Sequence, residues 1–168
     1  MKTRIYGWLI AVVFLVESGI AQWVQQNSGT TQKLTDVVML DSTTAIAVGR
    51  DRAILRTTNA GATWFNVVGH LSFTEPWNSV SFFDTTYGIV VGDNGVVFTT
   101  TNGGTGWIRY HIPGGQKCLC ALHIGPGHIY VGADSGWVYH SLDTGKTWAS
   151  EKISSWWIRS TFTWRGAA

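Results

Sequence analysis

The chain has 168 residues, of which 10 are Trp and 20 are Gly, and only 13% are charged. This composition excludes an intrinsically disordered chain, and it favours short strands joined by tight turns over a helical bundle. The formal net charge of +2 is too small to indicate a nucleic acid as a partner.

The first 21 residues have the pattern of a secretory signal peptide. Lys2 and Arg4 precede an uncharged, mostly apolar run over 7–16, and Gly19 and Ala21 place small residues where a signal peptidase reads them. The run is shorter than the roughly 20 residues that a transmembrane helix needs. We therefore predict cleavage after Ala21, a secreted or periplasmic mature chain and no stable membrane anchor. The alternative is a short anchor that is not cleaved.

A motif of eight residues occurs three times after this leader. It reads Ser/Thr-x-Asp/Asn-x-Gly-x-Thr-Trp over 57–64, 100–107 and 141–148, with Gly106 at the Thr position of the second copy. The motif tryptophans and Trp23 recur every 41 to 43 residues. Each repeat holds four short β-rich runs separated by turn residues, which is the length and content of a β-propeller blade.

Three four-stranded antiparallel blades are predicted after the leader, over about 34–68, 77–111 and 118–153. Residues 34–64 and 77–107 align without a gap and are identical at 11 of 31 positions. Trp23 has the phase of a strand that follows the motif, and 156–164 resembles the start of a further blade. The predicted fold class is therefore all-β, a β-propeller repeat array over 22–168 with partial strands at both ends. Such an array is an incomplete or fragmentary propeller.

The motif residues are expected to have structural roles. The hydroxyl of the Ser or Thr and the side chain of the Asp or Asn accept hydrogen bonds from the backbone of the turn, and the Gly adopts a positive φ. The Trp buries its ring between neighbouring blades. The residues concerned are Thr57, Asn59, Gly61, Thr63, Trp64, Thr100, Asn102, Gly104, Trp107, Ser141, Asp143, Gly145, Thr147 and Trp148.

The motif resembles the Asp-box, or BNR repeat, of sialidases, sortilin-like receptors and related propellers. Over 23–153 the wider repeat, which includes 84–95 and 100–107, is similar to the photosystem II assembly/stability-factor family. That resemblance implies a seven-bladed propeller and a non-catalytic assembly factor. In photosynthetic members an arginine patch is linked to partner binding, and here Arg50, Arg52 and Arg56 cluster locally. Arg52 occupies the position of the usual turn glycine.

Other chemistry finds little support in the sequence. A glycosidase needs two facing carboxylates, and Glu75 with Asp36 is the best available pair. Cys118, Cys120 and His123, with His128 nearby, lack the paired spacing of a zinc site. We interpret the two cysteines as small buried apolar side chains on one face of a strand, and we expect no catalytic residue, metal or cofactor.

The preferred function is therefore a secreted scaffold for protein–protein interaction with an unidentified protein partner. The alternative is a fragment of an Asp-box glycoside hydrolase or of a sialidase-like protein. The loops at 50–52 and 73–78 are candidate binding surfaces, unless they are ordinary solvated loops. Open blade edges, with the apolar tail around Trp156 and Trp157, indicate a tendency to self-associate.

Overall fold

The computed structural model of the chain describes residues 25–68 and 75–153, which form three four-stranded antiparallel sheets. The first blade consists of β1 (Leu34–Met39), β2 (Ala45–Gly49), β3 (Ile54–Thr57) and β4 (Phe65–Asn66). The second consists of β5 (Trp77–Phe82), β6 (Gly88–Gly92), β7 (Val96–Thr100) and β8 (Ile108–His111). The third consists of β9 (Cys118–Gly125), β10 (His128–Ala133), β11 (Trp137–Ser141) and β12 (Ala149–Lys152).

Each blade is a meander in which sequential strands pair with their neighbours. The predicted fold class is confirmed, because the repeat gives three antiparallel four-stranded sheets of the propeller type. The predicted leader, the strand at Trp23 and the start of a further blade at 156–164 lie outside the described residues. Among the described residues, no helix has the length and apolar character needed to cross a membrane.

The second strand of each of the first two blades forms the centre of the packing. All five residues of β2 and of β6 are buried, although their side chains alternate between the two faces of the sheet. Strands that are buried on both faces read as continuous apolar runs, which explains Ala45–Gly49 and Gly88–Gly92. The blades therefore stack face to face.

Each blade has a leading face, turned toward the preceding blade, and a trailing face, turned toward the following one. In β6, Val90 belongs to the cluster shared with the first blade, whereas Ile89 and Val91 belong to the cluster shared with the third. Two apolar cores thus lie between blades instead of within a single sheet. Burial of several large side chains in each core, at a few kcal/mol apiece, ties neighbouring blades together.

The two outer faces of the described array are more exposed. On the leading face of the first blade, Val37 and Met39 are each 59% exposed. On the trailing face of the third blade, Tyr130 is 43% exposed and lines an apolar cavity of about 250 Å³ with Leu122 and Val138. By their place in the repeat, both faces are of the kind that a neighbouring blade covers.

Side chains of β1 and β5, the first strands of their blades, add hydrogen bonds between blades. The Thr35 hydroxyl donates to the Trp77 carbonyl at 2.8 Å, and the Asp36 carboxylate accepts the Val80 N–H at 2.9 Å. The Asn78 amide donates to the Cys118 carbonyl at 2.7 Å. These bonds use backbone groups that face the neighbouring blade, so they fix the offset between adjacent sheets.

The two cysteines differ from expectation in their direction. Both are buried and free, but the register between β9 and β10 shifts between Cys118 and Cys120. The extra residue at this bulge breaks the alternation. Cys118 consequently packs in the core between the second and third blades, whereas Cys120 lines the trailing cavity. Burial raises the pKa of the Cys118 thiol to about 12, which makes it a poor nucleophile.

Candidate functional site

The motif turns join the third and fourth strands of every blade and share one hydrogen-bond pattern. Thr57 Oγ1 accepts the backbone N–H of Asn59 at 3.3 Å and of Gly61 at 3.0 Å, and the hydroxyl donates to Asn59 Oδ1 at 2.9 Å. Asn59 Oδ1 also accepts the N–H of Thr63 at 2.9 Å. Thr100 and Ser141 make the corresponding bonds in the other two copies.

The last polar position of the motif varies between copies. Thr147 donates its hydroxyl to Asp143 at 2.6 Å, and Thr63 accepts from the Asn59 amide at 2.9 Å. Gly106 has no side chain and keeps only its backbone bond to Asn102, at 2.9 Å. The second copy therefore has one hydrogen bond fewer than the other two at this position.

The motif glycines sit where the turn approaches the preceding blade. Gly61, Gly104 and Gly145 have φ values of +86°, +76° and +85°. A Cβ on Gly104 would lie 2.8 Å from the side chain of Ile46, and one on Gly145 would lie 3.1 Å from Thr99. Each position therefore requires both the left-handed backbone and the small size of glycine.

The motif tryptophans occupy two different environments. Trp107 packs against the core between the first and second blades and Trp148 against the core between the second and third. Trp64 instead packs against Ala47 and Leu55 of its own blade, on the outer leading face. The indole N–H of Trp148 donates to the carbonyl of Gly145, as that of Trp107 does to Gly104. The motif thus stabilises its own turn in all three blades, and in the second and third blades its Trp also packs against the core shared with the preceding blade.

The three arginines of the predicted patch lie at two ends of the first blade. Arg50 and Arg52 belong to the turn between β2 and β3, in which Arg52 has a φ of +63°. Arg56 lies on β3, and its guanidinium donates to the Gly103 carbonyl at 2.9 Å. Gly103 is in the motif turn of the second blade, at the opposite end of the sheet. Arg56 therefore bridges two blades, and the cluster in sequence is not one surface in space.

Asp36, one of the two carboxylates considered for glycosidase chemistry, is hydrogen-bonded to the second blade. Asp36 Oδ2 accepts the Ser79 hydroxyl at 3.0 Å in addition to a backbone N–H of the second blade. Among the residues that the structure describes, no group of three or more His, Cys, Asp or Glu side chains is placed to hold a metal ion.

A pocket between the second and third blades was not predicted from the sequence. It has a volume of about 330 Å³ and lies where β5 and β9 end, on the same end of the array as the motif turns. Phe83 and Ile124 are 43% and 44% exposed at its rim. Leu122 and Phe82 contribute further apolar surface, and Ser81 contributes a hydroxyl. We call this the His123 pocket, after the imidazole that lines it.

His123 is buried to 3% exposure, and neither ring nitrogen has a hydrogen-bond partner. Its backbone N–H donates to Ser81 Oγ at 3.0 Å, which fixes β9 against β5. The register of β9 shifts directly after this residue, so Ile124 is the extra residue of a bulge. The sequence carries only a weak signal for this arrangement, a histidine within an apolar run.

Burial determines the charge of this histidine. Removal from water lowers the pKa of His123, while the Asp84 carboxylate and then the carbonyls of Gly125 and Tyr87 act in the opposite direction. Those carbonyls lie near the ring without reaching hydrogen-bond geometry. The imidazole is therefore neutral at neutral pH, with one N–H donor and one bare nitrogen acceptor.

Comparison with known families accounts for the repeat. The family model described as photosynthesis system II assembly factor YCF48 matches residues 16–156, which is most of the chain. The chain belongs to this family. The resemblance inferred from the motif and its wider repeat is thereby confirmed. A comparison with curated protein sequences finds no significant match.

Solved structures of YCF48 are similar over most of the described array. The structure described as YCF48 bound to D1 peptide is 25% identical, with a TM-score of 0.68, and the match covers 79% of this chain and 45% of that one. YCF48 from Cyanidioschyzon merolae is 25% identical, with a TM-score of 0.66, over 77% of this chain and 40% of that one. The chain thus spans less than half the length of these proteins.

One similar structure is an enzyme. A crystal structure described as an ancestral GH74 enzyme is 17% identical, with a TM-score of 0.56, and the match covers 69% of this chain and 18% of that chain. At this identity the likeness shows a shared propeller fold alone.

Proposed function

We propose that this protein is a secreted, non-catalytic propeller scaffold that binds a segment of a partner protein. The observation that supports it best is membership of the YCF48 family together with the similarity to a YCF48 structure bound to a peptide. Propeller blades present their loops and inner-strand ends as a rigid surface, which suits recognition of an extended segment.

The His123 pocket is the part of the described surface that best fits such a role. Phe83 and Ile124 place two large exposed apolar side chains beside a concave, mostly apolar site. Anchoring of a partner side chain in a desolvated pocket commonly supplies most of the binding energy of an interface. Arg50 and Arg52, in the β2–β3 turn, form a second candidate surface. Arg56 does not belong to this surface, because its guanidinium is hydrogen-bonded to the Gly103 carbonyl at the other end of the sheet.

Affinity capture tests the scaffold. The exported chain is immobilised and exposed to the proteins of its native envelope or culture fluid, with Phe83→Ser and Ile124→Ser as test variants. Phe65→Ser is the matched control, because Phe65 is 66% exposed on β4 of the first blade. A partner retained by the wild type and by the control but lost from both test variants supports the proposal. Retention of no protein at micromolar concentration contradicts it.

Export is the second part of the proposal. Its support is the charged, apolar and small-residue pattern of residues 1–21. Expression with its native leader followed by N-terminal sequencing should give a product that begins at Gln22. A product that begins at Met1 and stays in the cytoplasmic fraction would contradict export.

We also propose that the outer faces associate with those of a second copy, head to tail. In the first and second blades, the trailing face packs against the leading face of the next blade. The trailing face of the third blade and the leading face of the first blade are the equivalent surfaces, so they are expected to pack against each other in the same way. Light scattering should show a dimer of the exported chain that Val138→Glu converts to a monomer. A wild type that is monomeric at all concentrations would overturn this contact.

A further inference from the structure

A titratable side chain is buried where the second and third blades meet. His123 is 3% exposed, and neither of its ring nitrogens has a hydrogen-bond partner. Most buried polar side-chain atoms in proteins have such a partner. A neutral imidazole in this environment lacks its hydrogen bonds, whereas an imidazolium would in addition be a buried charge without a partner, which is far more costly. The site therefore distinguishes between the two protonation states of one residue.

His123 is also part of the contact that joins the two blades. Its backbone N–H donates to Ser81 Oγ at 3.0 Å, and the Ala121 N–H donates to Ser79 Oγ at 3.4 Å. The ring of Phe83 lies 6.3 Å from the imidazole on the side of the second blade. A change in the charge or the hydration of the imidazole consequently acts on the contact between β5 and β9.

The segments around the ring offer little to an imidazolium. β5 contributes only uncharged side chains, while the turn after it contributes the Asp84 carboxylate and the Tyr87 carbonyl. The third blade contributes the Gly125 carbonyl, beside which lies the exposed side chain of His128. The carboxylate and the two carbonyls favour a charged ring, but neither ring nitrogen is hydrogen-bonded to them. Removal from water therefore dominates and lowers the pKa of His123 below its ordinary value of 6.5.

The sign of the resulting pH dependence follows from proton uptake. Once unfolded, the chain binds a proton at His123 near pH 6.5, whereas the folded chain excludes it. The free energy of unfolding should therefore decrease as the pH falls below 6.5. To bind the proton while folded, the chain must let water reach the ring or bring the Tyr87 carbonyl closer. That carbonyl already accepts the Phe83 N–H at 3.0 Å, so its movement would displace Phe83.

We propose that His123 is an acid-sensitive element of the contact between the second and third blades, and that protonation of its ring loosens the contact between β5 and β9. The His123 pocket has walls from both blades, with Phe83 on one side and Ile124 on the other. Loosening of the contact therefore opens the pocket as well. This behaviour belongs to the chain itself and does not depend on a partner protein.

Urea denaturation of the exported chain at pH 7.5 and pH 5.5 tests the proposal. Between these two values, the unfolding equilibrium constant of the wild type should rise about fivefold to tenfold more than that of His123→Phe, which is the effect of one proton bound on unfolding. His111→Phe is the matched control, because His111 is exposed on β8, and this variant should keep the pH dependence of the wild type.

Hydrogen exchange of the wild type places the change within the molecule and decides the question even if His123→Phe fails to fold. The protection factors of the Ala121 and His123 amides should fall between pH 7.5 and pH 5.5 by more than those of β2 in the first blade. Parallel pH profiles for the wild type and His123→Phe, or a loss of protection no larger at β9 than at β2, would overturn the inference. Neither measurement involves a partner, so both are independent of affinity capture.

Discussion

At the scale of single residues, the position before each motif glycine has a backbone conformation that favours glycine, although two of the three copies have another residue there. Ala60, Gly103 and Thr144 occupy it with φ values of +54°, +66° and +63°. Their N–H groups donate to equivalent carbonyls of the β1–β2 turn and its counterparts, at 2.8 to 3.2 Å. The backbone is therefore held in the left-handed region in all three blades, but only the second blade has a glycine there.

We expect Thr144→Gly to stabilise the chain. A left-handed backbone costs an L-residue roughly 1–2 kcal/mol, and most of all a β-branched one. Glycine removes that strain but loses about 0.5–1 kcal/mol through the entropy of the unfolded chain. The net gain should be about 0.5–1 kcal/mol in the free energy of unfolding, measured by urea denaturation.

The matched control for this change is the reverse substitution in the second blade. Gly103→Thr should be destabilising, because φ is +66° and a Cβ would lie 2.8 Å from the Thr85 carbonyl oxygen. If Thr144→Gly lowered the stability, the side chain of Thr144 would have to make a contribution that outweighs its backbone strain.

At the scale of the element, the motif turn tolerates Asp and Asn at the same position, with one physical difference. The side-chain and backbone hydrogen bonds from Thr147 lower the pKa of Asp143 from 3.8 to about 2. Asn59 and Asn102 make the same acceptor bond to the backbone and do not titrate. The third blade should consequently have a turn that weakens in acid, which the corresponding turns lack.

Asp143→Asn should remove this pH dependence. Because the pKa is lowered in the folded state, the carboxylate stabilises the fold above pH 4, and the contribution is lost as the pH falls toward 2. The wild type should therefore lose more stability than Asp143→Asn between pH 4 and pH 2, while the two remain similar at pH 7. Thermal midpoints across this range measure the difference.

Asn59→Asp offers a control in the opposite direction, since it should introduce the same acid sensitivity into the first blade. Parallel pH profiles for the wild type and Asp143→Asn would mean that Thr147 does not stabilise the charged form of Asp143.

The sequence predicted the blades well because their signals are local. The motif, the turn residues and the apolar runs each lie within one repeat, and their spacing repeats at 41 to 43 residues. The His123 pocket was not predicted, because it brings Phe83 together with a histidine 40 residues further along the chain. Closeness in sequence also does not fix a surface. Arg52 and Arg56 are close in sequence, but Arg52 lies in the turn before β3, whereas Arg56 lies on β3 and donates a hydrogen bond to Gly103 of the second blade.

At the scale of the whole molecule, stability depends on contacts between blades, as in other repeat proteins. Of the tryptophans within residues 25–68 and 75–153, the most deeply buried one lies outside the motif. Trp77, the first residue of β5, is 0% exposed in the core between the first and second blades. Its ring lies 4.8 Å from that of Phe98. The start of β5, and not the motif alone, therefore joins the first and second blades.

Trp77→Ala should be the most damaging of the tryptophan changes in the described array. Truncation of a fully buried Trp costs about 3–5 kcal/mol through lost burial and the cavity left behind. Trp64→Ala is the matched comparison, because Trp64 is only half-buried on the outer face of the first blade and should cost less than about 2 kcal/mol by the area it loses. Urea denaturation of both variants measures the two costs. Trp77→Ala should also broaden the transition, since the first blade then unfolds without the second. Equal costs for the two changes would place the main contact between blades outside this core.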